Sequence, residues 1–133
     1  MKQNLMLPIT SFLSILLMTL HFTSDVLRAR PGNIEAGGST LIAVPVLVIW
    51  LYGTLMLAER RSGHIIMLVG SLIAMGMPVI HVMFAAGIFQ GQLARVAPAF
   101  LFIWTLHLLG VTGLFSFILS VRGLWSLRRR PSQ

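Results

Sequence analysis

Four long, mostly apolar runs separated by short polar links constrain this chain more than any other feature. They lie at about 5–27, 40–58, 64–88 and 98–121, and a helix needs roughly 20 residues to cross a bilayer core of about 30 Å. Only helices and closed barrels satisfy every backbone polar group in lipid. We therefore predict an all-α integral membrane protein with four transmembrane helices in an up-down-up-down bundle. Residues 1–133 form one domain, which ends in a short basic cytoplasmic tail at 122–133.

The composition agrees with this class of protein. Hydrophobic residues make up 56% of the chain and charged residues 10%, whereas about a quarter of residues are charged in soluble domains. The absence of cysteine excludes disulfides, thiolate metal sites and thiol redox chemistry. The net charge of +7 comes from residues that flank the apolar runs, which predicts anionic lipid headgroups as partners and no nucleic acid.

The basic residues are distributed unequally between the two ends of the predicted helices. On one side lie Lys2, Arg60, Arg61, Arg122, Arg128, Arg129 and Arg130; on the other lie Arg28, Arg30 and Arg95. Because Lys and Arg concentrate in cytoplasmic links, we predict a multi-pass protein of a bacterial-type inner (plasma) membrane with both termini in the cytoplasm. The residues expected at the headgroups are Arg60, Arg61, Arg128, Arg129 and Arg130.

Polar residues of the first run follow a helical spacing. Ser11, Ser14, Met18, His21 and Asp25 are separated by three, four, three and four residues, so they form one narrow stripe on a helix. Hydrocarbon offers no hydrogen-bond partner, and the stripe is therefore expected to face protein. His21 and Asp25 are one turn apart, which makes them a candidate metal or polar site at the outer end.

The third and fourth runs present mixed faces. Small residues share a face with a histidine in the third run: Gly70, Ala74, Pro78, His81 and Ala85. In the fourth run a hydroxyl face, Thr105, Thr112, Ser116 and Ser120, lies opposite a face with His107 and Trp104. Either His107 contacts another subunit, or the hydroxyls bond to carbonyls of their own helix.

The depths of the histidines suggest a cofactor site. At 1.5 Å per residue, His81 lies about 10 Å and His107 about 13 Å inside the outer boundary, with His21 near that boundary. His81 and His107 are candidate haem b ligands, and Trp50 and Trp104 are candidate lining residues for haem or a quinone. The alternative is that each histidine bonds a carbonyl or hydroxyl at a helix contact. The depth difference argues against a meeting of His21 and His81.

Three functions remain open from the sequence. The first, which we favour, is a non-catalytic subunit that associates with itself or with a larger membrane complex, because the chain has no motif such as H-E-x-x-H or G-x-S-x-G. The second is a haem- or quinone-linked electron-transfer protein. The third is a proton-coupled transporter or channel that resembles the small multidrug exporters in outline. Those exporters use a carboxylate deep in the first span, where this chain has Ser11 and Ser14.

Overall fold

The computed structural model is all-helical over the residues that it describes, which are 3–28, 34–85 and 97–128, with side chains at 5–24, 26, 42–81 and 103–128. It contains four helices: α1 (Gln3–Arg28), α2 (Ile34–Met56), α3 (Arg61–Ala85) and α4 (Ala97–Arg128). The number and order of the predicted helices are confirmed.

The helix ends differ from the predicted ones. α2 begins at Ile34 instead of 40, α3 begins at Arg61 instead of 64, and α4 continues through Arg128 instead of ending at 121. The predicted limits were those of the apolar runs, but a helix does not end where apolar residues end, because its backbone hydrogen bonds continue into the polar flank. Most of the predicted tail is therefore the last part of α4. The predicted end of the third helix, 86–88, lies outside the described residues.

Three helices are long and apolar enough to cross a membrane, over Leu5–Ser24, Arg61–His81 and Ile103–Arg128. In α2 the described apolar stretch, Ile42–Met56, is shorter. Large apolar side chains are exposed on all four helices, as shown by Ile9, Val48, Val69 and Leu114. Soluble proteins rarely expose large contiguous apolar patches. The three apolar helices thus suggest a membrane protein.

α1 and α3 are at the centre of the arrangement. Each of them contacts the other three helices, whereas α2 and α4 do not contact one another in the described parts of the chain. The buried core between them consists of Leu7, Ile15, Leu17, Met18, Trp50, Met67, Ala74 and Leu109. The predicted stripe of α1 faces this core, because Ser11, Ser14, Met18 and His21 are all buried.

Glycines of α4 allow its close approach to α3. A Cβ on Gly113 would lie 2.9 Å from the Met75 backbone nitrogen, and a Cβ on Gly110 would lie 2.8 Å from Pro78 Cγ. Gly123 lies against the His64 ring in the same way. The residue numbers of the facing positions decrease along α3 as they increase along α4. Small residues that let two helices approach are typical of packing within membranes.

Replacing Gly113 with alanine should destabilise the protein by about 1–3 kcal/mol, because the new methyl group would meet backbone that cannot move aside easily. Gly76→Ala is the matched control, since a Cβ at Gly76 meets no described atom within 4 Å. Thermal unfolding of both variants in detergent, followed by circular dichroism, measures the difference. Equal stability of Gly113→Ala and the control would contradict the close α3–α4 contact.

Candidate functional site

The four residues predicted to bind a cofactor fall into three separate groups. Trp50 lies in the core between α1, α2 and α3, and His81 lies beside His21. His107 and Trp104 lie on the exposed side of α4. Each group has its own chemistry.

Trp50, Ser11 and Thr54 form a closed ring of hydrogen bonds. The indole Nε1–H donates to Ser11 Oγ at 2.8 Å, and Thr54 Oγ1 donates to the Trp50 carbonyl oxygen at 2.9 Å. Ser11 Oγ and Thr54 Oγ1 are 2.8 Å apart. The Thr54 hydrogen is already used, so Ser11 must donate to Thr54. All three side chains are at most 2% exposed.

The Trp50 indole also packs directly on α3. A Cβ on Gly70 would collide with the fused edge of the indole ring, including Cδ2 and Cε2. Only glycine leaves room for the ring at this position. The indole that was predicted to line a haem or quinone is therefore packed between three helices, with its N–H group bonded inside the protein. Its stacking on a cofactor stays a prediction.

His21 and His81 are in contact. Their ring centroids are 4.7 Å apart and the rings are nearly perpendicular, at 80°. The expectation that depth would separate them is wrong. It counted the depth of His21 from Phe22, where the unbroken apolar residues end, but α1 continues through Arg28, so His21 lies about two turns before the end of its helix.

This pair is an incomplete candidate for a metal site. His81 Nδ1 donates to the Met77 carbonyl oxygen at 3.0 Å, which leaves Nε2 as the nitrogen with the lone pair in the neutral ring. Asp25 belongs to α1, but its side chain lies outside the described residues. Among the side chains that are described, no three His, Cys, Asp or Glu residues are grouped as metal ligands would be.

His107 lies on the outer face of α4, by which we mean the exposed side of the helix that points away from the core. The residues before and after it on the inward side, Leu106 and Leu109, are buried, whereas His107 is exposed and Trp104 is 53% exposed. His107 Nδ1 donates to the Ile103 carbonyl oxygen at 2.7 Å. The described contacts therefore bring His81 to His21 and turn His107 away from the core. Joint ligation of a haem by His81 and His107 stays a prediction.

The inward face of α4 carries hydroxyl groups that the sequence did not single out as a site. Thr112 Oγ1 donates to the Leu109 carbonyl oxygen at 3.2 Å, as expected for a hydroxyl that bonds to its own helix. Ser116 and Ser120 are fully buried, yet neither Oγ has a hydrogen-bond partner among the residues described. Their spacing of one helical turn was visible in the sequence, but the direction of each hydroxyl was not.

The basic residues predicted at the headgroups lie at helix ends. Arg60 and Arg61 are exposed at the turn between α2 and α3, and Arg128 is exposed at the end of α4. Arg129 and Arg130 lie outside the described residues. Binding of anionic lipid by these side chains stays a prediction.

The chain matches no protein-family model, and neither a curated protein nor a solved structure shows significant similarity to it.

Replacing Ser11 with alanine should destabilise the protein by about 1–3 kcal/mol, because the buried Trp50 N–H would lose its acceptor. Ser14→Ala is the matched control. Ser14 is equally buried on the same helix, but its hydroxyl donates to the Thr10 carbonyl oxygen of its own helix at 2.9 Å, so its loss should cost less. Chemical unfolding in mild detergent, with Trp fluorescence as the signal, compares the two variants. The ring would have no structural role if both variants lost the same stability.

Proposed function

We propose that this chain is a non-catalytic membrane subunit that associates with a second copy of itself through the outer face of α4. In this proposal it crosses a bacterial-type inner membrane as an up-down-up-down four-helix bundle with both termini in the cytoplasm. Support for the bundle comes from the opposite order of facing positions on α3 and α4, and on α2 and α3, where Gly53 faces Ile66 and Trp50 faces Gly70. Support for the orientation comes from the unequal distribution of Lys and Arg.

The position of His107 is the single observation that carries the proposal. It is exposed within the apolar stretch Ile103–Arg128. Its Nδ1 donates to a carbonyl oxygen, so Nε2 of the neutral ring is a hydrogen-bond acceptor. A second bond to Nε2 is not found among the described residues. In hydrocarbon no donor would reach this nitrogen, and polar side chains within membrane spans accordingly face protein or water.

The pattern around His107 favours a second copy as the protein that covers it. Exposed residues on this face follow alternating steps of four and three: Trp104, Leu108, Val111, Phe115, Ile118, Arg122 and Trp125. This is the spacing of the seam in left-handed helix pairs, and residues beside the seam, such as His107, reach the flank of the opposite helix. A two-fold related copy presents the same seam, as the interface of a symmetric dimer requires.

Electron transfer through haem b or a quinone is the second candidate function, and one observation favours it. His81 and His107 both donate from Nδ1 to the carbonyl oxygen four residues earlier. This bond fixes the orientation of each ring, as a second hydrogen bond does at many metal-binding histidines. An absorption spectrum of the purified protein tests it, because bound haem gives a Soret band that His81→Ala or His107→Ala should remove.

We expect His107→Leu to weaken self-association within the membrane by about five- to thirtyfold, since a polar contact between transmembrane helices contributes about 1–2 kcal/mol. Thr19→Val is the matched control. Thr19 is also exposed, but its hydroxyl donates to the Ile15 carbonyl oxygen of its own helix at 2.8 Å, so the change should leave association as it is. Energy transfer between donor- and acceptor-labelled full chains, reconstituted at graded protein-to-lipid ratios, measures the dissociation constant.

Two results would refute self-association through this face. One is a wild-type chain that stays monomeric at every protein-to-lipid ratio, which would leave a different protein as the partner of α4. The other is a His107→Leu variant that associates as strongly as the wild-type chain.

A further inference from the structure

The start of α3 and the end of α4 meet at a contact between a histidine and a glycine. The His64 ring packs against Gly123, where a Cβ would collide with Cδ2 and Nε2 of the ring. From its Nδ1 the same ring donates to the Arg60 carbonyl oxygen at 3.0 Å. The imidazole therefore contacts both the last two turns of α4 and the residue that precedes α3.

The turn that carries Arg60 and Arg61 is compact. The Arg60 N–H donates to the Leu57 carbonyl oxygen at 2.9 Å, and the His64 N–H donates to the Arg60 carbonyl oxygen at 3.2 Å. A Cβ on Gly63 would collide with the Leu57 carbonyl oxygen. These contacts hold two adjacent arginines at a defined position beside the end of α4.

This end of the molecule has an excess of positive charge. The stretches 57–64 and 121–128 contain four arginines, and Glu59 is their only acidic residue, so at least three positive charges are left without an opposite charge. Like charges on neighbouring helix ends repel one another. An anion that contacts both helix ends would offset this repulsion. The four exposed arginines, which we call the basic patch, are Arg60, Arg61, Arg122 and Arg128.

Exposed apolar side chains lie next to the basic patch. Ile65 and Val69 are four and eight residues after Arg61, and Ile118 is four residues before Arg122, so they share a helix face with these arginines. Ile65 and Ile118 are each 45% exposed, and Val69 is 50% exposed. An arginine beside exposed apolar side chains matches a ligand that has both a phosphate and hydrocarbon chains.

We propose that the basic patch is a binding site for one anionic phospholipid, which bridges the start of α3 and the end of α4. The headgroup phosphate accepts hydrogen bonds from guanidinium groups of both helix ends, because arginine binds phosphate oxygens in pairs. The acyl chains lie along the exposed apolar side chains below the patch. Basic clusters between helices at a membrane surface bind anionic headgroups in this way.

Trp125 supports a position of the patch at headgroup depth. It lies between Arg122 and Arg128 in the chain and is 60% exposed, and tryptophan is enriched where hydrocarbon meets the headgroups. Trp125 and Arg122 also belong to the outer face of α4, but Arg60, Arg61 and Arg128 are not part of its seam. The inference thus rests on the proposed membrane crossing and does not require self-association.

The affinity of the full chain for single lipids tests the site. In native mass spectrometry of the detergent-purified protein, we expect one dioleoylphosphatidylglycerol per chain to bind more tightly than dioleoylphosphatidylcholine, which has the same acyl chains and no net charge. The double variant Arg61→Gln/Arg128→Gln should weaken phosphatidylglycerol binding by about thirtyfold, since each arginine near anionic lipid contributes about fivefold.

Arg28→Gln/Arg30→Gln is the matched control, because it removes the same charge elsewhere. Arg28 is the last residue of α1, and this end of α1 is remote from the patch, since His21 of α1 contacts His81 near the end of α3. The control should bind phosphatidylglycerol as the wild-type chain does.

Three results would overturn the proposal. The first is equal binding of the two lipids, and the second is a double variant that binds phosphatidylglycerol as tightly as the control. The third is displacement of phosphatidylglycerol by inorganic phosphate at the same concentration, which would show a site for a free anion. The same spectra separate monomers from dimers, so a failure of the lipid site is distinguished from a failure of self-association.

Discussion

The hydrogen bond from the Trp50 indole to the Ser11 hydroxyl holds the arrangement of the helices together. It joins α2 to α1 inside the core, where no water competes for either group. The same indole covers Gly70, so its position also determines how closely α3 can approach. α4 then packs closely against α3 because glycines of α4 lie at their contact. One side chain on α2 thus contacts two neighbouring helices at once, and α4 packs against both α3 and α1.

Two considerations were sufficient to predict much of this fold. They are the helical spacing of polar and small residues, and the free-energy cost of placing unpaired polar groups in hydrocarbon. The spacing of Ser11, Ser14, Met18 and His21 predicted a buried stripe on α1, and all four are buried. Gly70 and Ala74, which the helical spacing placed on one face of the third run, are likewise buried. Such predictions depend on a helical repeat within one segment. They do not require knowledge of the neighbouring helix.

What the sequence did not predict depends on the register between helices. The contact of His21 with His81 was missed because the depth of His21 was counted from the last unbroken apolar residue, Phe22, whereas α1 continues through Arg28. The partner of the Trp50 N–H group was missed because Ser11 lies 39 positions away in the chain. Ser116 and Ser120, which have no hydrogen-bond partner among the described residues, were missed because a hydroxyl can turn to its own helix or away from it, and composition does not decide between these rotamers.

The ring of Trp50, Ser11 and Thr54 has a direction that bears on proton movement. Its three hydrogens all point the same way around the ring, from Trp50 to Ser11, from Ser11 to Thr54 and from Thr54 back to the Trp50 carbonyl. A series of hydrogen bonds that conducts protons must be able to reverse the direction of every hydrogen bond after each proton transfer. The indole nitrogen has no lone pair available to accept a hydrogen, so this ring cannot reverse. The ring itself therefore offers no route by which a proton could pass between α1 and α2.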